Sequence, residues 1–290
     1  KKIFSIFLIF NLITVSTAQA ASTTATTFVH SKFVTEDEKP TGLAFNNDGT
    51  KMFVVGTNDQ DINEYTLTTG FDVSTATFVD KLDVDLQDTV PLGLAFNNDG
   101  TKMFVVGKTD QDINEYTLTT GFDVSTATFV HKLDVDGQDT IPRFVEFNND
   151  GTKMFLVGGT DAEVDEYTLT TGFDVSTATF VDGGSLDLDA GGREDDPRDI
   201  AFNNDGTKLF VVGNENDNIY EYTLTTGFDV STATFVDSYS VDDDSETSIP
   251  AGLAFNNDGT KMFLAGLITN DVHEYNLSCA FKVTSSSKCD

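Results

Sequence analysis

The segment Gly42-Leu-Ala-Phe-Asn-Asn-Asp-Gly-Thr-Lys-Met-Phe-Val-Val-Gly56 returns four more times along the chain with small changes. Its anchor phenylalanines are Phe45, Phe96, Phe147, Phe202 and Phe255, at intervals of 51, 51, 55 and 53 residues. A second block, Glu64 to Val79, recurs letter for letter from Glu115, Glu166 and Glu221. The chain therefore contains five copies of one unit, and the length of that unit is typical of propeller blades.

Each unit contains four short β-type runs, which we label strands a to d. In the first unit they are Leu43 to Phe45, Lys51 to Val55, Ile62 to Leu67 and about Thr75 to Val84. The turn from Asn46 to Gly49 separates strands a and b, because Asn, Asp and Gly tolerate the positive φ of tight hairpins. This pattern predicts four consecutive antiparallel strands in every unit.

A four-stranded sheet buries both of its faces when copies stack radially around an axis. The sequence therefore predicts an all-β fold, a five-bladed β-propeller of four-stranded antiparallel blades. Phe45, Phe53, Phe71 and Phe78 and their counterparts are expected to dominate the packing between blades, since each large apolar side chain gains about 1.5 to 3 kcal/mol on full burial.

The ends of the chain predict how the ring closes. The last unit stops near Ser287 without a strand d, while Thr27-Phe28-Val29 matches Thr77-Phe78-Val79 of a strand d. We therefore expect Phe28 to Val34 to pair with strand c around residues 272–277 and complete the last blade. The predicted divisions are a propeller at 27–287, a short linker at 21–26 and a tail at 288–290.

Residues 45–56, Phe-Asn-Asn-Asp-Gly-Thr-Lys-Met-Phe-Val-Val-Gly, resemble the Phe-x-x-Asp-Gly-x-x-aromatic-Val core of lactonase-like propeller repeats of the YVTN type. The resemblance covers Thr27 to about Ser287. It implies the propeller fold and, for the lactonases of that group, metal or catalytic side chains that converge at the axis. This chain has Phe-Val-Val-Gly where those repeats carry Tyr-Val-Thr-Asn, and no set of its residues matches such a site residue by residue.

Residues 1–20 have the pattern of a signal peptide, with Lys1 and Lys2, an apolar run from Ile3 to Val15, and Ala18-Gln-Ala20. A membrane anchor is the alternative, but the run is shorter than the roughly 20 residues that span a bilayer. We therefore expect a secreted or periplasmic protein without a membrane span after cleavage. In that compartment Cys279 and Cys289 are expected to form a disulfide.

The chain has 48 acidic and 17 basic residues and a net charge of −31, which argues against nucleic acid as a partner and favours solubility. Many of the carboxylates fall in the d-to-a and b-to-c loops. The candidate Ca²⁺ ligands are Asp83, Asp85, Asp88, Asp134, Asp136 and Asp139, because Ca²⁺ takes six to eight oxygen ligands. Their spacing differs from that of an EF-hand, and solvated surface charge is the alternative.

A proline introduces strand a in every blade, and the next residue is expected near the mouth of the central channel. That position reads Thr41, Leu92, Arg143, Arg198 and Ala251. Blades three and four also carry Glu146 and Asp199 nearby. One interpretation is local ion pairs that relieve repulsion; the other is a ligand pocket in which the two arginines hold a carboxylate or sugar hydroxyls.

The sequence contains no nucleophile elbow, phosphate loop or zinc spacing, and it designates no catalytic residue. His30 and His131 are predicted to be exposed strand residues at a position that is Asp80 or Asp237 in other blades. The first hypothesis is an exported, non-enzymatic binding or scaffold propeller that recognises glycans or a surface protein, through a repeated face with several equivalent weak sites. The alternative is an extracytoplasmic hydrolase of the lactonase or glycosidase class, working around Arg143, Glu146, Arg198 and Asp199.

Overall fold

The computed structural model describes residues 26–241 and 249–284, and these residues form five antiparallel sheets arranged as the blades of a propeller. Blade 1 contains β2 (Pro40–Phe45), β3 (Lys51–Gly56), β4 (Asp61–Leu67) and β5 (Ala76–Asp83). Blade 2 contains β6 (Pro91–Phe96), β7 (Lys102–Gly107), β8 (Asp112–Leu118) and β9 (Ala127–Asp134). The five-bladed fold predicted from the repeats is confirmed.

The remaining blades follow the same order, with strand a innermost. Blade 3 contains β10 (Pro142–Phe147), β11 (Lys153–Gly158), β12 (Glu163–Leu169), β13 (Ala178–Phe180) and β14 (Leu186–Asp187). Blade 4 contains β15 (Pro197–Phe202), β16 (Lys208–Gly213), β17 (Asn218–Leu224) and β18 (Ala233–Ser240). Blade 5 contains β19 (Pro250–Phe255), β20 (Lys261–Gly266) and β21 (Asp271–Leu277), and its fourth strand is β1 (Thr26–Phe33).

Strand a begins earlier than its apolar residues predict. In blade 1 it begins at Pro40, which lies opposite Gly56, and the register shifts between Pro40 and Gly42. The proline is tolerated because it is the first residue of the strand. The same start at a proline occurs in all five blades.

Strand d begins later than predicted. A one-turn 3₁₀ helix at Val73–Thr75 precedes it, because the side chain of Asp72 accepts a hydrogen bond from the backbone N–H of Ser74 at 3.2 Å, as helix-capping residues do. In blade 3 this outer strand is also divided into β13 and β14. Gly183, with φ of 75°, lies in the turn between them.

Strand β1, from the start of the described chain, pairs antiparallel with β21, from its end. Phe28 lies opposite Tyr275, and the two rings contact edge to face with centroids 5.7 Å apart. Strand β1 begins at Thr26, which the sequence had placed in the linker; the Thr26 hydroxyl donates to the Val283 carbonyl at 2.9 Å. One sheet thus contains residues from both ends of the described chain.

The core lies between neighbouring blades, as the aromatic repeats predict. The strand-b phenylalanine of each blade is fully buried and contacts the strand-a phenylalanine of the next. The pairs are Phe53–Phe96, Phe104–Phe147, Phe155–Phe202, Phe210–Phe255 and Phe263–Phe45, with ring centroids 4.5 to 4.7 Å apart. The last pair joins blade 5 to blade 1.

The prediction for Phe78 is wrong. Its side chain is 37% exposed on the outer strand and contacts Tyr65 of its own blade, with ring centroids 5.9 Å apart. The physical reason is that strand d is the outer edge of the wedge, where neighbouring blades diverge. Phe78 therefore covers its own sheet and does not join two blades.

A buried ion pair also joins each blade to the next. In blade 1 the Lys51 ammonium donates to Oε1 of Glu64 at 2.7 Å and to the carbonyl of Phe122 in blade 2. Oε2 of Glu64, which is 3% exposed, accepts from the backbone N–H of Val124 at 3.0 Å. The same Lys–Glu pair occurs in all five blades.

Three sequence predictions concern the ends of the chain. The predicted signal peptide at 1–20 lies outside the described residues. Cys279 is disulfide-bonded, while Cys289 lies outside the described residues. No helix in the described part of the chain has the length and apolar character needed to cross a membrane.

Candidate functional site

The five residues that follow the strand-a prolines meet around one cavity on the axis, on the face that carries the d-to-a and b-to-c loops. This cavity, which we call the mouth pocket, has a volume of about 430 Å³. It is lined by Lys39, Thr41, Thr57, Asn58, Val90, Leu92, Lys108, Ile141, Arg143, Arg198, Ala251 and Leu267. The proline spacing thus identified residues that converge from all five blades.

The mouth pocket is cationic, although the chain as a whole has a net charge of −31. Its lining includes Lys39, Lys108, Arg143 and Arg198, and no carboxylate is present among the described residues that line it. A concave site lined by one sign of charge concentrates the field and attracts the opposite ion. The local charge therefore favours an anionic ligand.

Arg143 and Arg198 both bind Asp196, from the loop that leads into strand a of blade 4. The Arg143 Nη2 donates to Oδ1 of Asp196, and the Arg198 Nη2 donates to Oδ2 at 2.8 Å. Partial burial raises the pKa of Asp196, but the two guanidinium charges outweigh this effect and hold the pKa below its ordinary value. The carboxylate thus fixes both arginines at the pocket wall.

Several donors of the two arginines have no protein acceptor in the described part of the chain. They are the buried Nε and Nη1 of Arg143 and the buried Nε of Arg198. Burial lowers the pKa of Arg143, and the nearby charge of Arg198 lowers it further. These nitrogens are buried, so an anion in the pocket would be attracted by the charge of the two side chains, which are 11 and 20% exposed, and would reach the nitrogens only if the side chains shifted.

Glu146 and Asp199 do not share the mouth pocket with the arginines. Glu146 lines a second cavity of about 260 Å³, whose walls also include Leu43, Leu94, Phe144 and Leu253. Side chains alternate along a strand, so Asp199 points away from Arg198 and toward blade 5. There it is fully buried and accepts from the N–H groups of Ile200 at 2.6 Å and Leu253 at 2.7 Å.

The two acids have raised pKa values. Burial raises the pKa of Glu146 to about 7, although a hydrogen bond from the backbone of Phe147 partly opposes the change. Burial also raises the pKa of Asp199 well above its ordinary value, and the charge of Glu146 adds to this effect. Glu146 therefore faces the second cavity, and Asp199 is buried within reach of its charge, both apart from the cationic mouth.

The six candidate Ca²⁺ ligands occupy two kinds of environment. Asp83, Asp85, Asp134 and Asp136 are exposed, whereas Asp88 and Asp139 are buried. Asp88 accepts from the backbone N–H groups of Val90 at 2.6 Å and Asp110 at 2.9 Å, so it stabilises the loops. Among the described residues, the groups of three closely spaced ligand atoms are His30/Asp72/Glu274, Glu115/His131/Asp174 and Glu194/Asp195/Glu215. The Ca²⁺ site stays a prediction.

The opposite, repeated face uses its asparagines to join the blades. The Asn47 amide donates to the Asn98 carbonyl at 2.7 Å, and Asn98 donates to Asn149 at 2.7 Å. Asn149, Asn204 and Asn257 continue the series, and Asn257 donates to Asn47. These five amide donors form a ring around the axis, so they are engaged in the fold and less available to a ligand.

Comparisons with known proteins show the fold and no family. No protein-family model matches the chain, and no curated protein matches it. Solved structures similar to it include two proposed 6-phosphogluconolactonases. The one from Bacteroides uniformis has a TM-score of 0.52 at 14% identity over 82% of this chain and 66% of its own length. The one from Bacteroides fragilis has a TM-score of 0.51 at 14% identity over 82% of this chain and 80% of its own length.

A third similar structure is a functionally unknown protein from Desulfotomaculum acetoxidans, with a TM-score of 0.47 and 12% identity over 78% of this chain. The present chain spans 62% of the length of that protein. At these identities the likeness shows the propeller fold alone and leaves the chemistry of the site to its own residues.

Proposed function

We propose that this protein is a non-enzymatic binding propeller whose mouth pocket holds a small anionic sugar, such as a sugar acid or the acidic end of a glycan. The observation that carries the proposal is the pair Arg143 and Arg198, fixed by Asp196 in a pocket without a lining carboxylate. The predicted signal peptide would place this binding outside the cytoplasm.

The dimensions and lining of the pocket suit such a ligand. Its volume of about 430 Å³ lies within the roughly 300 to 1,000 Å³ of small-molecule sites. Leu92, Ile141 and Leu267 provide apolar surface, while Thr57 and Asn58 provide polar groups for hydroxyls. A carboxylate on the same ligand would be attracted by the positive charges of the two arginines and of Lys39 and Lys108.

The lining favours binding over catalysis. No carboxylate, histidine or cysteine lies among the described residues of the mouth pocket, where the titratable side chains are lysines and arginines. No acid–base pair of carboxylates faces the ligand there, as a glycosidase would require.

A calorimetric titration with gluconate tests the proposal, because gluconate carries one carboxylate and several hydroxyls. We expect saturable binding of gluconate, weaker binding at higher salt, and no binding of glucose. Replacing Arg143 by Leu and Arg198 by Ala gives the residues that blades 2 and 5 carry at this position. Each change should weaken binding about 10- to 100-fold, since a hydrogen bond to a charged group contributes about 1.5 to 3 kcal/mol.

The matched control is Arg193→Ala, which removes an arginine from the same group of loops. Arg193 lies over the ring of Phe235, 4.6 Å from its centroid, and is absent from the pocket lining. Its removal should leave the affinity within about twofold. Unchanged gluconate affinity in the Arg143→Leu/Arg198→Ala variant, or equal affinity for glucose, would contradict the proposal.

A second candidate is a hydrolase of the lactonase class, and the carboxyl group of Glu146, which lines the second cavity, is the observation that favours it. A carboxyl group with a pKa of about 7 exists in both protonation states near neutral pH, as an acid or base catalyst requires. Incubation with gluconolactone tests this candidate. Hydrolysis above the spontaneous rate that disappears in Glu146→Gln would establish it and displace the binding proposal.

A further inference from the structure

His30 and His131 each lie between two carboxylates at a junction of two blades. The Nε2 of His30 is 3.0 Å from Oε2 of Glu274 and 3.2 Å from Oδ1 of Asp72. The Nε2 of His131 is 3.0 Å from Oε2 of Glu115 and 3.4 Å from Oδ1 of Asp174. Each histidine and glutamate belong to one blade, while the aspartate belongs to the loop between strands c and d of the next.

The imidazoles do not form ordinary hydrogen bonds with these oxygens. Each Nε2 is buried and makes no hydrogen bond of acceptable geometry within the described structure, although two carboxylate oxygens lie within 3.4 Å. A nitrogen aimed between two oxygens is poorly placed to donate one proton to either. It is well placed to share an ion with both of them.

The geometry points to two equivalent Zn²⁺ sites, one formed by His30, Asp72 and Glu274 and the other by His131, Asp174 and Glu115. Nitrogen and carboxylate ligands bind Zn²⁺ at about 2.0 to 2.2 Å in a tetrahedron whose edges are about 3.3 Å. The observed separations between the histidine nitrogen and the two carboxylate oxygens, 3.0 to 3.4 Å, are close to those edges, and all three ligand atoms of each site lie within 4.8 Å of one another. The partial exposure of the histidines and aspartates, 27 to 31%, leaves room for a water as the fourth ligand.

The neighbouring lysines leave one oxygen of each glutamate for the ion. Lys261 pairs with Oε1 of Glu274, and Lys102 pairs with Oε1 of Glu115. Oε2 accepts a backbone N–H from Val73 in the first site and from Val175 in the second, which leaves a second lone pair. Oδ1 of Asp72 already accepts from the N–H and the hydroxyl of Ser74, so a zinc ion that ties the two blades would replace one of these hydrogen bonds. The same holds for Asp174 and Ser176 in the second site.

Blade 1 provides a matched reference, because it lacks only the histidine. Asp80 lies opposite Glu64 where His131 lies opposite Glu115. Asp123 accepts from Ser125 in the loop of blade 2, as Asp72 accepts from Ser74. The proposed sites therefore depend on one position of strand d, which is histidine in blades 2 and 5 and aspartate in blade 1. Either residue can be replaced by the other as a test.

The test is calorimetric titration of the untagged protein with Zn²⁺ at about pH 8, where a free imidazole is neutral, in excess Mg²⁺ to occupy non-specific acidic surface. We expect the wild type to bind two equivalents of Zn²⁺, the His30→Asp or the His131→Asp variant to bind one, and the double variant to bind none. Asp80→His should raise the uptake to three. Circular dichroism confirms folding, and the substitutions use residues that other blades already tolerate.

Imidazole ¹H–¹⁵N spectra give a second readout, since the chain has only three histidines. Zinc should shift the resonances of His30 and His131 and leave His273, which is 1% exposed, unchanged. The proposal is overturned if the protein shows no saturable uptake of Zn²⁺, which is the result expected if each imidazolium forms only an ion pair. It is also overturned if Zn²⁺ uptake persists unchanged in the double variant.

Discussion

Replacing Glu146 by alanine should stabilise the protein at neutral and alkaline pH. The other four blades carry Ala44, Ala95, Ala201 and Ala254 at this position, so the smaller side chain fits the repeat. Burial raises the pKa of Glu146 from 4.5 to about 7. The folded protein therefore favours the neutral acid, and ionisation of Glu146 opposes folding.

The sign and size of the effect follow from this shift. Because the pKa of Glu146 is raised in the folded protein, the stability associated with its neutral form is fully present below about pH 4.5. This stability is lost as the pH rises through about 7. The difference between pKa values of 4.5 and about 7 corresponds to an upper limit of about 3 kcal/mol. Glu146 is only partly buried, so contact with solvent reduces the penalty and we expect the variant to gain about 1 to 3 kcal/mol at about pH 8.

Urea unfolding of the two proteins at about pH 4 and pH 8 measures the difference, with a constant m-value as the check on two-state behaviour. Asp136→Ala, which removes an exposed carboxylate, should change the free energy of unfolding by less than about 0.5 kcal/mol at either pH. A gain that is equal at both pH values, or a loss of stability at pH 8, would refute the assignment of a partly buried carboxyl group whose ionisation opposes folding.

Four further outcomes are expected. Lys51→Met should destabilise the protein by about 3 to 5 kcal/mol by leaving the buried Glu64 charge unpaired, and adding Glu64→Gln should restore part of the loss in urea unfolding. His273→Asn should flatten the fall in stability between about pH 6.5 and 4, because burial lowers the pKa of this neutral imidazole to about 4; an unchanged pH profile would speak against it. Deleting residues 21–35 should abolish cooperative thermal unfolding, and an unaltered melting curve would count against closure by the amino-terminal strand. Calorimetry with Ca²⁺ should show saturable uptake if the loop aspartates form a site, and its absence would remove that prediction.

The sequence predicts this fold well because the repeat carries several independent signals. The Asn46 to Gly49 turn, the alternating strands and the blade-length spacing all describe the same unit, and the match between Thr27-Phe28-Val29 and Thr77-Phe78-Val79 predicts the partner of β1. The 3₁₀ turn at Val73–Thr75 was missed because one turn has no hydrophobic period to detect. The exposure of Phe78 was missed because residue type alone does not distinguish the inner edge of a wedge from the outer edge.

The candidate site could be located from sequence but not described. The proline spacing places Arg143 and Arg198 at the axis, because equivalent positions in a radial repeat converge there. The role of Asp196 could not be predicted, since it is one of many loop carboxylates and its contact with Arg143 crosses from one blade to the next. The separation of Glu146 from the arginines depends on which side of strand a each side chain occupies.

The most direct test of the proposed function is a crystal structure of the protein soaked with gluconate. The proposal predicts one ordered ligand in the mouth pocket, with its carboxylate against the guanidinium groups of Arg143 and Arg198 while Asp196 keeps its place. A mouth pocket that contains only water at saturating gluconate, or a ligand held instead beside Glu146, would contradict it.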